Sequence, residues 1–438
     1  MQQIDFSQGS IRRRILAVAT PMLIAQLLNL LYNIVDRIYI GKIPGEGTLA
    51  LASIGLCFPF VTLITAFANL FGLGGAPLCA MARGKGNREG AQGIMVNAGF
   101  MLLLSGAVLT VLGIAFHRPL LYLFGASEVT YPYASSYIVI YLIGTLCVML
   151  SLGLNPYINC QGFARTGMLT VALGAAANIG VRGAAIATVL SQFLSAAWVV
   201  KFLTSKKAEL KLDFRGFRPD CQCIQRITVL GIASFVMSFT DTLVQVACNA
   251  TLRNFGGDLY ISVMTVLNSV RQIAQTPVLA IADGASTAIS YNYGAGLYKR
   301  TRDAIRFMTQ IAIGYTMLVW MLVSLFPALF IRIFNQDAEL VAAAVPALHI
   351  YFFGFVMMAF QYAGQSTFRA LGRAKYAVFF SLLRKAFIVV PLTLLLPYCW
   401  NLGVSGVFAA EPVSNCIGGL ACYFTMRHVV MPELKMEN

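Results

Sequence analysis

The chain has 438 residues, of which 58% are hydrophobic and only 11% are charged, and its mean hydropathy is +0.74. Soluble domains carry roughly 25% charged residues. This composition therefore excludes an ordinary soluble protein and predicts one that is embedded in a lipid bilayer.

Apolar segments follow one another along the whole chain, and a membrane span takes about 20 such residues. In chain order they are approximately 15–40, 50–74, 92–115, 132–153, 166–179, 183–204, 228–252, 260–283, 305–331, 343–364, 376–397 and 403–425. Segment 166–179 is too short to cross unaided. The pattern predicts an all-α integral membrane fold with twelve transmembrane helices.

Lysine and arginine are distributed unevenly between the loops on the two sides of these spans. Counted together with the span ends that adjoin them, the loops on the side of the N-terminus hold 23 and the opposite loops hold 6, while Arg271, Arg384 and Lys385 lie deeper within spans. Because basic loops stay in the cytoplasm, we expect a multi-pass protein of the cell membrane with both termini in the cytoplasm. This topology accounts for the net charge of +15, so no nucleic-acid partner is expected.

The chain also repeats itself. Three pairs of similar stretches lie 210, 208 and 223 positions apart. They are GKGNREGA at Gly84 with GAGLYKRT at Gly294, QGFARTGM around Arg165 with RALGRAKY around Arg373, and GVRGAAIATV around Gly183 with GVSGVFAAEP around Gly406. Two similar membrane bundles fused in tandem are typical of secondary transporters.

The repeat predicts three parts of the chain. These are an N-terminal six-helix bundle over residues 1–205, a basic cytoplasmic linker over 206–226 that would lie on anionic headgroups, and a C-terminal six-helix bundle over 227–438. The offset grows from 208 to 223, so the first half lacks 15 residues between Arg165 and Gly183. The short fifth span falls at the same place. Either that span is truncated or the sequence omits a stretch.

Ionisable residues cost roughly 2.5–3.5 kcal/mol each at the centre of a span, so each of them needs a reason. Asp36 lies in the outer half of the first span. A carboxylate there can take up and release a proton near neutrality, or ligate Na⁺ together with neighbouring oxygens. The alternative is a local ion pair with Arg37 near the headgroups.

Pro21 lies 15 residues before Asp36 in the same span. Proline removes a backbone hydrogen bond and permits a bend. A bendable helix that carries a titratable acid would make a gate, and the alternative is a static kink.

Asp241 lies in the middle of the seventh span. Its depth makes escape to the interface hard, so it is a candidate contact for a cation or a substrate. The alternative is a carboxyl group that is hydrogen-bonded to nearby hydroxyls, namely those of Ser238, Thr240 and Thr242.

Glu411 lies about two turns into the twelfth span, next to Pro412, whose missing backbone bond would open a polar pocket. Arg384 in the eleventh span or Arg271 in the eighth is the expected partner. We favour a structural salt bridge over a role in transport for these residues. Asp283, near the cytoplasmic end of the eighth span, is expected to be a solvated cap.

Motifs of several other function classes are absent from the sequence. There is no GxxxxGK[ST] phosphate loop, no GxSxG nucleophile elbow and no TVGYG-like filter. The three histidines form no metal-ligand spacing. We therefore expect neither an enzyme nor a channel, and we expect no metal site and no cofactor.

Several motifs in this order resemble the multidrug and toxic compound extrusion (MATE) transporters over nearly the whole chain. They are Pro21 followed by Asp36 in span 1, LALASIGLCFP at the start of span 2, the turn Gly84-Lys85-Gly86-Asn87 with its echo at Gly294-Ala295-Gly296, Asn178-Ile179 in span 5, GAAIATVLSQ in span 6 and LGRAKYAVFFSLLRKAF in span 11. The likeness is to the bacterial branch that contains the SOS-inducible and staphylococcal multidrug efflux pumps.

The resemblance implies a fold of two six-helix bundles related by a pseudo-twofold axis. It implies export of drug-like, often cationic small molecules across the lipid bilayer, by alternating access, with H⁺ or Na⁺ as the coupling ion. It implies a cation-coupling site at Asp36, Asn178 and Thr188 and a helix-1 kink at Pro21. One carboxylate with neutral oxygens suits a hard cation. A monomer is expected.

The chain departs from the pattern of this family at two places. The family's fifth span usually continues from Asn-Ile into a second acid and a proline, whereas Asn178-Ile179 runs straight into Gly180 here, at the site of the gap. Asp241, ten residues after Gly231, resembles an acid of the other bacterial branch and of the eukaryotic branch. It is therefore a candidate cation or substrate contact in the C-terminal bundle.

The alternative function is that of a flippase of lipid-linked precursors from the wider superfamily. Such a protein is expected to have a basic cavity and often extra spans. This chain has twelve predicted spans that contain mainly acids, which favours the exporter.

Overall fold

The computed structural model describes residues 6–41, 47–124, 126, 128, 131–164, 181–334, 337–399 and 402–436. Within these ranges the regular secondary structure is helical and contains no strands. The all-α fold class predicted from the sequence is therefore confirmed.

The helices fall into two series along the chain. The first contains α1 (Ile11–Gly41), α2 (Gly47–Gly84), α3 (Arg88–Leu123), α4 (Tyr131–Ile143), α5 (Thr145–Cys160) and α6 (Val181–Thr204). The second contains α7 (Cys221–Gly294), α8 (Tyr298–Leu325), α9 (Pro327–Arg332), α10 (Ala338–Phe352), α11 (Met357–Ala370), α12 (Ala374–Leu382), a π-helical segment (Leu383–Val389), α13 (Val390–Leu395) and α14 (Val404–Met436). The helix α7 is interrupted at Gly257, where φ is 65°.

The chain divides into two compact units, and two helices contribute to both of them. Unit 1 contains Met1–Ser7 and Thr20–Phe235, and unit 2 contains Gln8–Ala19 and Val236–Asn438. The boundaries therefore fall inside α1 and α7. The domain limits predicted at residues 205 and 227 stay a prediction.

The centre of unit 1 is α2, which packs against α3, α4 and α5. Glycine permits a close approach, since a Cβ at Gly72 would lie 2.7 Å from the carbonyl oxygen of Gly153 on α5. Tyr157 on α5 donates its hydroxyl to the carbonyl of Phe71 at 2.8 Å. Small residues at such contacts are typical of membrane bundles, because apolar side chains gain little by leaving lipid.

The centre of unit 2 is the pair α11 and α14. A Cβ at Gly419 on α14 would lie 2.6 Å from the carbonyl oxygen of Met357 on α11, and one at Gly364 on α11 would lie 2.8 Å from the sulfur of Cys422. The two backbones therefore approach each other closely at glycines on both helices. This contact fixes the position of α14 relative to α11.

The same turn ends a helix at four places, in two pairs that are each 210 residues apart. The glycines are left-handed, with φ of 75° at Gly86, 72° at Gly296, 88° at Gly162 and 72° at Gly372. After each glycine, the next backbone N–H donates to the carbonyl five residues earlier, at 2.8–3.2 Å. This is the Schellman motif, which glycine favours because it adopts a positive φ without strain. The repeat in the sequence is thus also a repeat in the backbone. The turns place the second pair of stretches 210 residues apart and not 208, so the deficit before Gly183 is 223 minus 210, or 13 residues and not 15.

One span in each series is broken beside a glycine. α4 and α5 meet at Gly144 with a bend of 56°, and α10 and α11 meet near Gly354 with a bend of 50°. A Cβ at Gly144 would lie 2.6 Å from Cγ2 of Val189 on α6, and one at Gly354 would lie 2.6 Å from Cα of Pro412 on α14. Each break therefore lies against the last helix of its own series. Val189 and Pro412 are 223 positions apart. The third pair of repeated stretches, around Gly183 and Gly406, has the same offset.

Five helical segments among the described residues are long and apolar enough to cross a membrane. They are Pro59–Gly84, Arg88–Leu123, Cys221–Gly257, Tyr298–Leu325 and Ala374–Leu395, and each of the two bent pairs passes the same test as one span, which makes seven. The predicted spans 132–153 and 343–364 are thus broken and not continuous. The predicted span 166–179 lies wholly outside the described residues, and the count of twelve stays a prediction.

The segment between α6 and α7 packs onto unit 1. Arg83 at the end of α2 pairs with Glu209 and donates to the carbonyl of Cys160. Every second residue from Ala208 to Leu212 is buried, and the backbone N–H of Leu210 donates to the side chain of Gln161 at 2.9 Å. Part of the predicted linker 206–226 therefore packs against the protein, because its alternating apolar residues cover the surface of unit 1. Its contact with lipid headgroups stays a prediction.

Candidate functional site

Five charged side chains of unit 2 meet within its helices and are called the ionic cluster here. They are Asp241, Arg271, Arg384, Lys385 and Glu411. Asp241 and Arg271 lie on either side of the break in α7, and the others lie on the π-helical segment and on α14. Ionisable residues inside membrane helices are rare and mark functional sites by default.

The π-helical segment Leu383–Val389 positions two consecutive cations of the cluster. Its wide turn is seen in the backbone N–H of Val390, which donates to the carbonyl of Lys385, five residues earlier. Pro391 follows and lacks the N–H that would continue an α-helical ladder. Arg384 and Lys385 are 5% and 2% exposed. Single π turns within α-helices occur frequently at functional sites.

Glu411 is the buried anion of the cluster and is 4% exposed. Its Oε1 lies 2.7 Å from Nη1 of Arg271, 3.0 Å from Nη1 of Arg384 and 3.4 Å from Nζ of Lys385. The Nη1 of Arg384 also donates to Oδ1 of Asn415 at 2.7 Å. Both partners expected from the sequence thus contact one oxygen. A buried carboxylate needs several donors because desolvation of each ion costs several kcal/mol.

Asp241 is the exposed anion of the cluster, with a side chain that is 46% exposed. Its Oδ1 lies 2.8 Å from Nζ of Lys385. The hydroxyl of Thr240, which the sequence offers as an alternative partner, instead donates to the carbonyl of Val236 at 2.8 Å. Lys385 therefore bridges an exposed carboxylate and the buried one of Glu411.

A chain of hydrogen bonds leads from the cluster to the first half of α7. Arg271 donates to the hydroxyl of Tyr351 at 2.9 Å, and Tyr351 donates to Oδ1 of Asn268 at 2.9 Å. The amide of Asn268 then donates to Oε1 of Gln245 at 2.9 Å. Because Arg271 and Asn268 are three residues apart on one helix face, the chain ties α10 to both sides of the break in α7.

The cluster has more positive than negative charge. Three cations face two carboxylates, which gives a formal net charge of +1. Within the described part of the chain, no three His, Cys, Asp or Glu side chains are grouped to hold a metal ion. In this arrangement Asp241 can exchange Lys385 for another cation, while Glu411 remains paired with Arg271 and Arg384.

Sequence reasoning missed Lys385 and Asn415 as members of this site. Asn415 follows Glu411 by four residues, so the two share one face of α14, and this spacing was a usable signal. The position of Lys385 depends on the π turn, for which the sequence offers only the weak signal of Pro391.

Asp283 does not have the environment predicted for it. It lies inside α7, its side chain is 22% exposed, and its Oδ1 is 3.6 Å from Nη2 of Arg369. The expectation of a solvated cap was wrong because the helix continues to Gly294.

The predicted cation-coupling site of the N-terminal bundle stays a prediction. Asp36 lies on α1 and Thr188 lies on α6, but their side chains and the whole of Asn178 lie outside the described part of the structure. Pro21 is buried within α1, which continues through it. The site that the structure does describe is therefore the ionic cluster of unit 2.

Comparison with known proteins identifies relatives over both halves of the chain. The family model described as MatE matches residues 21–182 and again residues 233–395. Multidrug export protein MepA from Staphylococcus haemolyticus is 21% identical over 436 residues, which cover 97% of this chain and 95% of the relative. The FAD transporter of Shewanella oneidensis is 23% identical over 444 residues, which cover 96% of each.

A solved structure has the same fold. It is described as the outward-facing conformation of a multidrug resistance MATE family transporter of the MOP superfamily. Its TM-score to this chain is 0.93 at 21% sequence identity, with 100% of this chain and 99% of the other covered.

The resemblance drawn from the sequence motifs is thereby confirmed. The members of this family are transporters and not enzymes. At the level of the family, this agrees with the expectation that the protein is not an enzyme. Because the family model matches well over half of the chain, once in each half, this protein belongs to the MatE family of multi-pass membrane transporters.

Proposed function

We propose that this protein is a secondary active exporter of organic, often cationic, drug-like molecules, which it exchanges for H⁺ or Na⁺ by alternating access. Membership of the MatE family supports this function, as does a relative named as a multidrug export protein over nearly the whole length. The structural observation that carries it is the bridge of Lys385 between Asp241 and Glu411. A change of charge at an exposed carboxylate there acts directly on a buried ion pair.

In the N-terminal bundle, the proposed coupling ion binds Asp36 with oxygens of Asn178 and Thr188. Neutralising the carboxylate removes its need for solvation, and α1 then bends near Pro21 and expels the substrate. Loss of the ion to the cytoplasm resets the cycle. This part of the proposal rests on the family motifs in the sequence.

In the C-terminal bundle, Asp241 is the proposed second contact for a cation or a cationic substrate. A proton or cation at Asp241 weakens its pairing with Lys385, whose ammonium then interacts more strongly with Glu411 at the other end of its bridge. Because Lys385 lies on a π turn, where backbone hydrogen bonds are irregular, a small shift of this side chain is mechanically feasible.

The membrane potential limits the concentration gradient that the export can maintain. One charge that moves inward through 100 mV supplies about 2.3 kcal/mol. For a neutral substrate at perfect coupling, this corresponds to a concentration gradient of roughly 50-fold. A cationic substrate exchanged for one proton would be electroneutral and driven by the pH gradient alone.

A second candidate substrate class is an organic anion. The excess positive charge of the ionic cluster favours it, because Lys385 and the two arginines outnumber the carboxylates. The relative from Shewanella oneidensis is named as an FAD transporter. The flippase of lipid-linked precursors remains the alternative from the wider superfamily.

The test is export from vesicles that contain the purified full-length protein, with the pH and sodium gradients imposed separately. Ethidium serves as a cationic probe and FAD as an anionic one. Wild type is compared with Asp36→Asn, Asp241→Asn and the matched surface variant Glu89→Gln.

We expect ethidium export that follows one of the two gradients, is lost in Asp36→Asn and is retained in Glu89→Gln. Gradient-driven movement of FAD with no movement of ethidium would replace the cationic substrate class by the anionic one. If Asp36→Asn exports ethidium at the wild-type rate, the proposed coupling site is wrong. If neither probe moves under either gradient, the exporter proposal gives way to the flippase.

A further inference from the structure

A cavity of about 340 Å³ lies between α8 and α14 in unit 2. Its lining residues recur at helical spacing on both helices. On α8 they include Arg302, Arg306 and Ile313, and on α14 they include Tyr423, Arg427 and Lys435. Since residues three or four positions apart share one helix face, one stripe on each helix lines this open cavity. Its volume lies at the lower end of the range for small-molecule sites, roughly 300–1,000 Å³.

The lining of this cavity is cationic. Arg302, Arg306, Arg427 and Lys435 contribute to it, and no Asp or Glu does. Among the residues that the structure describes, none of the four pairs with a carboxylate. Four like charges around one small volume repel one another, and an anion bound between them would relieve this repulsion.

Glu433 lies on α14 beside the lining of the cavity, but its carboxylate contacts residues outside the cavity. Glu433 pairs with Arg373 and accepts a hydrogen bond from the hydroxyl of Tyr293 at 3.1 Å. Its charge is therefore paired with Arg373 in the turn after α11 and hydrogen-bonded to the last turn of α7, and it does not balance the cations of the cavity.

One donor in the lining is buried and lacks an acceptor. Nε of Arg302 is inaccessible to solvent and makes no hydrogen bond with any residue that the structure describes. A buried donor without an acceptor is costly. A phosphate group supplies several oxygens that suit the planar fork of an arginine, so it would balance the positive charge of this lining.

The surroundings of the cavity favour a lipid as the source of that phosphate. Farther along the same helices, large apolar side chains are exposed, for example Leu318 and Leu325 on α8 and Ile417 on α14. Twelve residues separate Arg306 from Leu318, or roughly 18 Å along a helix. The cations therefore lie near a helix end and the apolar surface lies at bilayer depth. Basic pockets between membrane helices on the cytoplasmic side bind anionic headgroups.

We infer that this cavity binds the phosphate of an anionic phospholipid headgroup. Arg302, Arg306 and Arg427 hold the phosphate, Lys435 adds positive charge, and Ile313 and Tyr423 contact the lipid below it. The site shares no residue with the ionic cluster or with the predicted coupling site. The bound lipid joins α8 to α14 and stabilises unit 2.

The test follows thermal unfolding of the full-length protein in an uncharged detergent. Phosphatidylglycerol is titrated, with phosphatidylcholine of the same acyl chains and inorganic phosphate at equal ionic strength in parallel. We expect phosphatidylglycerol alone to raise the unfolding midpoint, with a saturating dose response. Arg302→Gln/Arg427→Gln should need at least tenfold more of this lipid for the same shift.

Two further variants keep the result interpretable. Arg332→Gln/Lys375→Gln also removes two positive charges, from exposed positions outside the cavity, and should respond like wild type. Arg302→Lys/Arg427→Lys keeps the charge but removes the fork and the Nε donor, and should show an intermediate response even if the glutamine variant is unstable.

Three results would overturn the inference. The first is a wild-type response to phosphatidylglycerol in both cavity variants. The second is an equal loss of the response in the surface variant, which would show that only total charge matters. The third is an equal response to inorganic phosphate, which would assign the cavity to free phosphate and not to a lipid.

Discussion

The ammonium of Lys385 lies 2.8 Å from the carboxylate of Asp241, in an ion pair that joins a side chain with 3% exposure to one with 46% exposure. The pair connects the interior of the C-terminal bundle to its accessible surface. Since Lys385 also contacts Glu411 at 3.4 Å, neither carboxylate can change its charge without an effect on the other.

Asp241→Asn is expected to impair transport with a smaller loss of stability than Glu411→Gln. Lys385 is buried, but it keeps Glu411 as its partner in the variant, so the free energy of unfolding should fall by less than the roughly 3–5 kcal/mol of a buried ion pair that is broken from one side. Dye export from vesicles should fall at least roughly fivefold. Wild-type export by this variant would show that Asp241 is only a structural residue.

Glu411→Gln is expected to be strongly destabilising. It leaves Arg271, Arg384 and Lys385 without their shared buried anion, and breaking a buried ion pair from one side costs about 3–5 kcal/mol. Chemical unfolding in detergent measures this loss. Glu89→Gln removes a carboxylate from an exposed position in the first turn of α3 and should change the unfolding free energy by less than about 0.5 kcal/mol. Similar values for both variants would contradict the role of Glu411 as the centre of the cluster.

Gly354→Ala and Gly314→Ala are expected to have opposite effects on stability. A Cβ at Gly354 would lie 2.6 Å from Cα and 2.7 Å from the carbonyl oxygen of Pro412, so the break between α10 and α11 must shift at a cost of about 1–3 kcal/mol. Gly314 lies within α8 and has open space around it. Alanine there should stabilise the helix by about 0.5–1 kcal/mol. The two unfolding midpoints, measured side by side, check this, and a Gly354→Ala midpoint at or above the wild-type value would contradict it.

Glu209→Gln is expected to loosen the segment between α6 and α7. Arg83 would lose its charged partner while its side chain stays 6% exposed, so the packed form of the segment would be less favourable. Trypsin should cut between residues 206 and 218 at least roughly fivefold faster. Asp213→Asn, which alters only a local hydrogen bond to the backbone of Arg215, should leave the rate close to that of wild type. Equal rates for Glu209→Gln and wild type would mean that the apolar residues alone hold the segment.

Local features of the fold could be read from the sequence because they have local causes. The turns at Gly86 and Gly296 are specified by a few adjacent residues and by the need for a positive φ. The breaks at Gly144 and Gly354 were missed, because their cause is a contact with a helix far along the chain. An apolar run shows that a span exists and does not show where it bends.

The candidate site could be predicted in part. Because an unpaired charge inside a span is costly, Glu411 must pair with a cation, and few cations lie within the spans. Arg271 and Arg384 were therefore expected as its partners. The pairing of Lys385 with Asp241 depends on the π turn and on the packing of α7 against it, neither of which a sequence pattern specifies. The role of Asp36 stays a prediction that only the transport measurement tests.

The sharing of α1 and α7 between the two units has a consequence for attempts to divide the gene. A fragment that ends at Asp220 would lack residues 221–235, including Gly231, whose backbone lies against that of Leu70 in unit 1. A fragment that starts at Cys221 would lack residues 8–19, where the carbonyl of Gly9 accepts a hydrogen bond from Arg300. Each fragment therefore loses contacts that its own unit makes, and we expect complementation from two separate transcripts to improve when the fragments overlap in these helix ends.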